Sequence, residues 1–345
     1  MRTSRLKTGC AAAVLGISLV LGGCAQTGGS QGAFDASSEE NGKLKVAVTL
    51  FPYYDFVRQV AGDQVELSLV IPAGMDSHSF EPTPRDIRTM QEADVIIANG
   101  GAMEHWVDQV VDSFDREDQT VVIMMDHVDA VEEEIVEGME HSDEGHGHVH
   151  VHEDGEEDGH LEEDESQYEI EYDEHIWTSP VNAMKLVDVI GDTLAEADPA
   201  HADTYHQGAE NYKKELEEID SGFREVSANR KRNMIVMGDK FPFRYLADEY
   251  QLDYRAAFSG CSSDTEPSAK TIAYLIDKVK EEQIPAVYYL ELSSHRVAEI
   301  IGEETGAEPL LLHSCHNVTR AQFDTGITYA GLMRQNIENL RKGID

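Results

Sequence analysis

The chain has 345 residues, with 67 Asp and Glu against 27 Lys and Arg, for a formal net charge of −40. That length accommodates two domains with sizeable cores, and 41% hydrophobic with 7% aromatic residues marks a mostly globular chain rather than a wholly disordered one. So acidic a balance excludes nucleic acid as a partner, because a polyanion has to be met by Lys and Arg.

Arg2, Arg5 and Lys7 precede an apolar run from Ala11 to Leu21. A basic segment followed by roughly 7–15 apolar residues is a secretory signal, too short to span a bilayer. Its end, Leu21-Gly22-Gly23-Cys24, resembles a bacterial lipobox, in which small residues admit the peptidase and the Cys thiol is lipidated. The reading is therefore a signal peptide at 1–23, a lipid-anchored tether rich in Gly and Ser at 24–42, and a mature domain beginning near Lys43 on the outer side of the membrane.

Lys43–Leu50 alternates and is β-branched, and Pro52–Ala61 reads as a helix. Val65–Ile71 reads as a strand, Thr83–Glu92 as a helix, Asp94–Asn99 as a buried strand, Met103–Phe114 as an amphipathic helix and Thr120–Met125 as another strand. Strands alternating with helices at this spacing mean a parallel α/β sheet. After a biased segment, Ser179-Pro180 opens a helix to Ala197. From Pro199 to Ala228 an apolar stripe, Ala209, Tyr212, Leu216, Ile219, Phe223 and Val226, recurs at spacings of three and four. A helix of that length is roughly 45 Å long and suits a spacer between lobes. A second α/β set then follows: strands at Asn233–Met237, Asp253–Phe258, Ala286–Leu290 and Glu308–Leu312, with helices at Pro242–Tyr250, Pro267–Glu282, Ser293–Glu304 and Gly326–Leu340. The expected fold is α/β, two Rossmann-like lobes at 43–200 and 231–345 joined by a long rigid helix at 201–230, with ligand bound in the cleft beyond the strands' carboxyl ends.

The acid is not evenly spread. Glu132–Glu174 holds 20 Asp and Glu, no Lys or Arg, and six His: His141, His146, His148, His150, His152 and His160. This stretch has no periodic apolar face and reads as a disordered insert, 132–170, in the first lobe. Its carboxylates raise the local cation concentration and its imidazoles offer weak metal sites.

Outside it, four histidines fall in loops that meet strand ends or helix starts. His78 lies in the Gly- and Pro-rich loop Pro72–Pro84, His175 in Asp173-Glu174-His175-Ile176-Trp177, and His313 and His316 follow the last strand. Neutral imidazole is the commonest metal ligand, and a nearby carboxylate can orient its second nitrogen. His105, His201, His206 and His295 sit in helix patterns and read as surface or packing residues, while His127 is left open. Once Cys10 leaves with the signal and Cys24 is lipidated, Cys261 and Cys315 remain, for which an exported chain favours a disulfide. Metal ligation by both thiolates is the competing reading, since Cys315 stands between His313 and His316.

With these residues in place, the sequence resembles the zinc/manganese-type (ZnuA-like) solute-binding lipoproteins of bacterial ABC importers. The resemblance rests on His78-Ser79-Phe80-Glu81-Pro82-Thr83-Pro84-Arg85-Asp86, on Asp173–Trp177 and on the closing Tyr329-Ala330-Gly331-Leu332-Met333-Arg334-Gln335-Asn336, and it covers Lys45 to Leu340. It implies the two-lobed metal-type periplasmic-binding-protein fold, and it makes His78 and His175 metal ligands. It also implies an ABC permease and its ATPase as partners, and a monomer. A His- and acid-rich loop before the second ligand is typical of the zinc-specific branch. One departure stands out: where the family usually has a third His or Glu ligand, this chain has Gly238-Asp239-Lys240. A protonated Lys cannot bind a cation, so the expectation is that His313 or His316 is recruited, with Asp239 as a further ligand or alternatively a helix cap. Such a nitrogen-rich set points to Zn²⁺, with Mn²⁺ as the alternative cargo. The expected function is extracytoplasmic capture of Zn²⁺ for a permease, by a non-enzyme. A manganese or iron importer component and a surface adhesin or metal buffer are the rivals. A metallohydrolase with Glu81 or Glu291 as base is weaker still, for want of any His-Glu-x-x-His or paired-carboxylate motif.

Overall fold

In the computed structural model, residues 42–116, 118–139, 172–262 and 266–345 are described. The signal segment, Cys24, nearly all of the tether and the six histidines of the acidic insert lie outside these residues. The first lobe runs β1 (Leu44–Val48), α1 (Phe51–Ala61), β2 (Val65–Leu69), α2 (Pro84–Glu92), β3 (Val95–Ala98), α3 (Trp106–Asp112) and β4 (Thr120–Ile123). All four strands are parallel, in the order β2-β1-β3-β4. The Val-Ile-Ile-Ala run of β3 is buried at every position, as a parallel strand covered on both faces requires.

Local chemistry sets the boundaries. Pro52 lies in the first turn of α1, and Gly62 ends that helix at φ 53°. Thr83 and Asp86 form a reciprocal capping box on α2, with Pro84 at its first position. The helix expected from Met103 does not start there. A 3₁₀ turn, Ala102–Glu104, comes first: Glu174 accepts from its Ala102 and Met103 amides, while Glu104 accepts from the Asn99 and Gly100 amides that precede it.

After the gap, Ser179 caps α4 (Pro180–Ala197) by accepting from the Asn182 amide. Then comes α5 (Ala202–Asn229), whose stripe Tyr205, Ala209, Tyr212, Leu216, Ile219, Phe223 and Val226 is buried. One side of α5 packs on α1 and α4. The approach to α1 is so close that a Cβ on Gly208 would stand 2.1 Å from the Val60 carbonyl oxygen.

The second lobe comprises β5 (Met234–Phe241), α6 (Arg244–Tyr250), β6 (Asp253–Ser259), α7 (Ala269–Glu281), β7 (Ala286–Tyr289), α8 (Arg296–Thr305), β8 (Glu308–Leu311), α9 (Arg320–Asp324) and α10 (Tyr329–Ile344). Its parallel order, β6-β5-β7-β8, repeats the permutation of the first sheet. Helix α5 also packs on α6 and α10, so one helix serves both lobes. Strand β5 runs four residues beyond the expected Met237, because Lys240 and Phe241 pair with Phe258 and Ser259 of β6 after an irregularity at Gly238 and Asp239. Asp239 is therefore a strand residue. The residue before α6 is Phe243, which makes no side-chain cap, so the helix-cap alternative for Asp239 is not realised. The short α9 was not expected; Thr319 and Gln322 build its capping box.

Candidate metal centre

The loops that leave the carboxyl ends of both sheets meet around a cavity of about 240 Å³. His78 reaches it from the β2–α2 loop, where Asp76 accepts from the His78 amide at 3.0 Å. His175 reaches it from the turn before α4. His316 comes from the other lobe, in the turn after β8. One nitrogen from each ring lies within 4.8 Å of the other two. The ring centroids stand 5.7, 5.3 and 5.4 Å apart, a nearly equilateral triangle. Three nitrogens on a common Zn²⁺ would be closer, each about 2.0–2.1 Å from the ion, a difference that small side-chain rotations cover.

Each imidazole is held differently. His175 is 1% exposed, and its Nδ1 lies 3.1 Å from Asp173 Oδ1, which also accepts the His175 amide at 2.8 Å. That carboxylate makes Nδ1 the protonated nitrogen and leaves Nε2 as the donor, the usual carboxylate–histidine–metal arrangement. Burial, the largest single influence, depresses this imidazole, but Asp173 together with Glu174 and Glu133 outweighs it and holds the pKa above its ordinary value. Gly260, at the end of β6, makes room for the pair: a Cβ there would stand 3.1 Å from Asp173 Oδ2 and 3.3 Å from His175 Cε1.

His316 contacts Ser77 Oγ and Met103 Sδ through Nε2, leaving Nδ1 without a hydrogen-bond partner among the described residues. Its turn is set by Glu291, which accepts from the Ser314 amide and hydroxyl at 2.9 and 2.6 Å, and by Cys315 in the left-handed region at φ 61°. Burial, then the neighbouring His78 and His175, push His316 well below its ordinary pKa. His78 is pulled down to about 4 by burial, His175 and Lys240. Beneath the trio lies Trp177, fully buried, its ring 5.5 Å from His175 and 5.2 Å from His316. Its Nε1 donates to the Ser314 carbonyl at 2.8 Å, stitching the turn of one lobe to that of the other.

The remaining expected residues lie outside the trio. His313, completely buried, is not in the trio. Asn336 of α10 clamps its amide and carbonyl, both at 2.8 Å, and its Nδ1 accepts from the Cys315 amide at 3.0 Å. The left-handed turn at Cys315 thus sends one histidine into the core and the other to the cavity. Asp239 lines the cavity but spends its oxygens on the Lys240 and Leu290 amides at 2.9 and 3.4 Å, outside the trio. Glu291, considered as a base, is occupied in the same way by Ser314. His127 is the exposed last residue of a 3₁₀ turn, and His105, His201, His206 and His295 make contacts at the surface. Sequence reasoning missed Ser77, Met103 and Trp177. A carboxylate two residues before His175 was the one legible sign of Asp173's role.

The expected Cys261–Cys315 disulfide is not formed: both are free thiols. They follow β6 and β8, the two edges of a four-stranded sheet, about 14 Å apart at the usual strand spacing. A disulfide tolerates no more than about 7 Å between Cα atoms. Neither thiol joins the histidine cluster, and burial pushes both pKa values up, against thiolate ligation. After denaturation without reductant, residues 43–345 should therefore titrate as two thiols; a reading of none would restore the disulfide.

Against known proteins, residues 46–343 match the family model described as "ZnuA: Zinc-uptake complex component A periplasmic". The chain is 31% identical over 309 residues to the zinc-binding lipoprotein AdcA of Streptococcus pneumoniae, a match spanning 89% of this chain and 57% of that one. It is 28% identical over 316 residues to the high-affinity zinc uptake system protein ZnuA of Bacillus subtilis, covering 92% of each. Among solved structures, the Zn(II)-bound ZnuA-like domain of Streptococcus pneumoniae AdcA superposes with a TM-score of 0.68 at 28% identity, over 88% of this chain and all of that domain. The chain thus spans little more than half the length of its AdcA relatives.

Proposed function

Because this chain belongs to the zinc-uptake complex component A family, we propose that it captures Zn²⁺ outside the cytoplasm and delivers it to an ABC-type permease with its ATPase. The observation that carries the reading is the convergence of His78, His175 and His316, from both lobes, on one cavity. Three imidazoles and no carboxylate in the trio suit four-coordinate Zn²⁺ better than Mn²⁺, which favours oxygen donors. Cys24, acylated, would tether the domain to the membrane, and the insert around His141–His160 would gather the ion near the cleft. The lobes at 43–200 and 231–345, with the helix at 201–230, would act as one receptor, a monomer whose metal bridges them. No catalytic step is needed for this work.

Elemental analysis and chelator-competition titration of the mature chain test it. One tight Zn²⁺ per chain, distinct from weaker sites, is the expected result. Tighter binding of Mn²⁺, or loss of all tight binding when 140–171 are deleted, would overturn it in favour of a manganese carrier or a metal buffer.

A pH dependence follows. His175 has the raised pKa, so protons compete there first as pH falls, while His78 joins only near pH 4. The logarithm of the zinc association constant is expected to drop about one unit per pH unit below the His175 pKa, steepening only around pH 4. Titrations across that range would contradict this if two protons were displaced throughout.

A further inference from the structure

Lys240 sits on the wall of the same cavity, at the irregular end of β5. Its ammonium makes no hydrogen bond or ion pair among the described residues; only its amide is engaged, by Asp239. None of the acids around it pairs with the ammonium: Asp76 accepts from the His78 amide through one oxygen, Asp239 from the Lys240 and Leu290 amides, and Glu291 from the Ser314 amide and hydroxyl. A cation unpaired among the described residues thus shares the cavity with three imidazoles that would hold a dication. That juxtaposition is repulsive, and an anion standing between the two cations would offset it beyond what the lining carboxylates of Asp76, Asp239 and Glu291 already do. There is room for one. The cavity measures about 240 Å³, and about 10–15 Å³ of such space is enough to admit one water. Three nitrogens also leave the fourth position of a tetrahedral ion open.

We propose that the metal is held together with a small carboxylate, one oxygen on the ion's fourth position and the other on the Lys240 ammonium, so that the cargo is recognised as a metal–anion pair. This rests on the metal-capture reading above. A carboxylate oxygen is an ordinary zinc ligand, and a Lys ammonium is a compact point charge that accepts any small carboxylate in reach.

Acetate is the probe. Zinc affinity of the mature chain is measured by chelator competition in sodium perchlorate and in sodium acetate at equal ionic strength, correcting for zinc–acetate pairing. In the wild type, acetate at ten times its own dissociation constant is expected to raise the apparent affinity about tenfold by mass action. Lys240→Gln is expected to lose that rise while binding zinc more tightly in perchlorate, with the like charge gone. With Co²⁺ in the site, acetate should alter the visible absorption of the wild type and not of K240Q. Equal wild-type affinities in the two salts, or an undiminished rise in K240Q, would overturn the proposal and leave Asp239 or water as the fourth donor. Absence of tight zinc binding in either salt would instead overturn the metal-capture reading itself.

Discussion

Replacing His175 by alanine is expected to weaken zinc binding by more than about a hundredfold, while replacing His313 by alanine leaves it within a few-fold of the wild type. Loss of a partner that merely orients a ligand costs about 10–100-fold in metal affinity, and loss of the ligand itself costs more. His175 is the best-held of the trio: 1% exposed, with Asp173 fixing its tautomer and Trp177 packed against its face. The substitution also strands Asp173, which keeps the amide of residue 175 but loses the ring N–H, so the metal-free variant should be less stable by about 1–3 kcal/mol. Asp173→Asn, which keeps the shape but weakens the hold on Nδ1, belongs between the two, near tenfold. Chelator competition on the three variants settles the order. Wild-type affinity in H175A would sink the trio, and an equal loss in H313A would return the site to the broader histidine set expected from sequence alone.

That contrast marks where the sequence stops being readable. Four histidines in loops at strand ends or helix starts could be picked out, because such loops gather at the carboxyl edge of a parallel sheet. His313 and His316 could not be separated by spacing. What divides them is the left-handed backbone at Cys315 and a clamp from Asn336, 23 residues downstream. The disulfide expectation failed for a similar reason: the number of cysteines was right, but only the strand order puts Cys261 and Cys315 on opposite edges. The strands and helices were legible wherever caps and apolar runs agreed, as at Thr83-Pro84 and Ser179-Pro180. They were misread where partners distant in sequence decide. A 3₁₀ turn whose amides Glu174 accepts from precedes α3, and β6 draws β5 on through two polar residues that end its apolar run. That extension is what carries Lys240 into the cavity.

Replacing Asp55 by asparagine is expected to cost about 2–3 kcal/mol of stability, the range for losing hydrogen bonds to a buried charged group whose ionic partner, Arg58, is itself 31% exposed. The Asp55 carboxylate is completely buried, and its two oxygens serve three elements. Oδ1 accepts from Arg58 Nε and Gln59 Nε2, each at 3.1 Å, within α1. Oδ2 accepts from the Tyr212 hydroxyl of α5 at 3.3 Å and from the Tyr329 amide that opens α10 at 2.7 Å. Arg58 in turn donates to the Ile327 carbonyl at 2.8 Å. One side chain thus holds the first lobe, the linking helix and the last helix of the second lobe together. Asparagine has the same shape, but its NH₂ must face donors on one side or the other, and Arg58 loses its counter-charge. Urea unfolding should show a lower midpoint at an unchanged slope, whereas Tyr212→Phe, removing one longer bond, should cost only about 1 kcal/mol. Zinc affinity of D55N should fall less steeply than that of H175A yet measurably, because α10 also steadies the site: Tyr329 Oη donates to the Trp177 carbonyl at 2.7 Å and Asn336 grips His313. If D55N unfolds within about 1 kcal/mol of the wild type, burial of apolar surface along α5 holds the lobes together without help from this carboxylate, and the expectation of a polar tie between them is wrong.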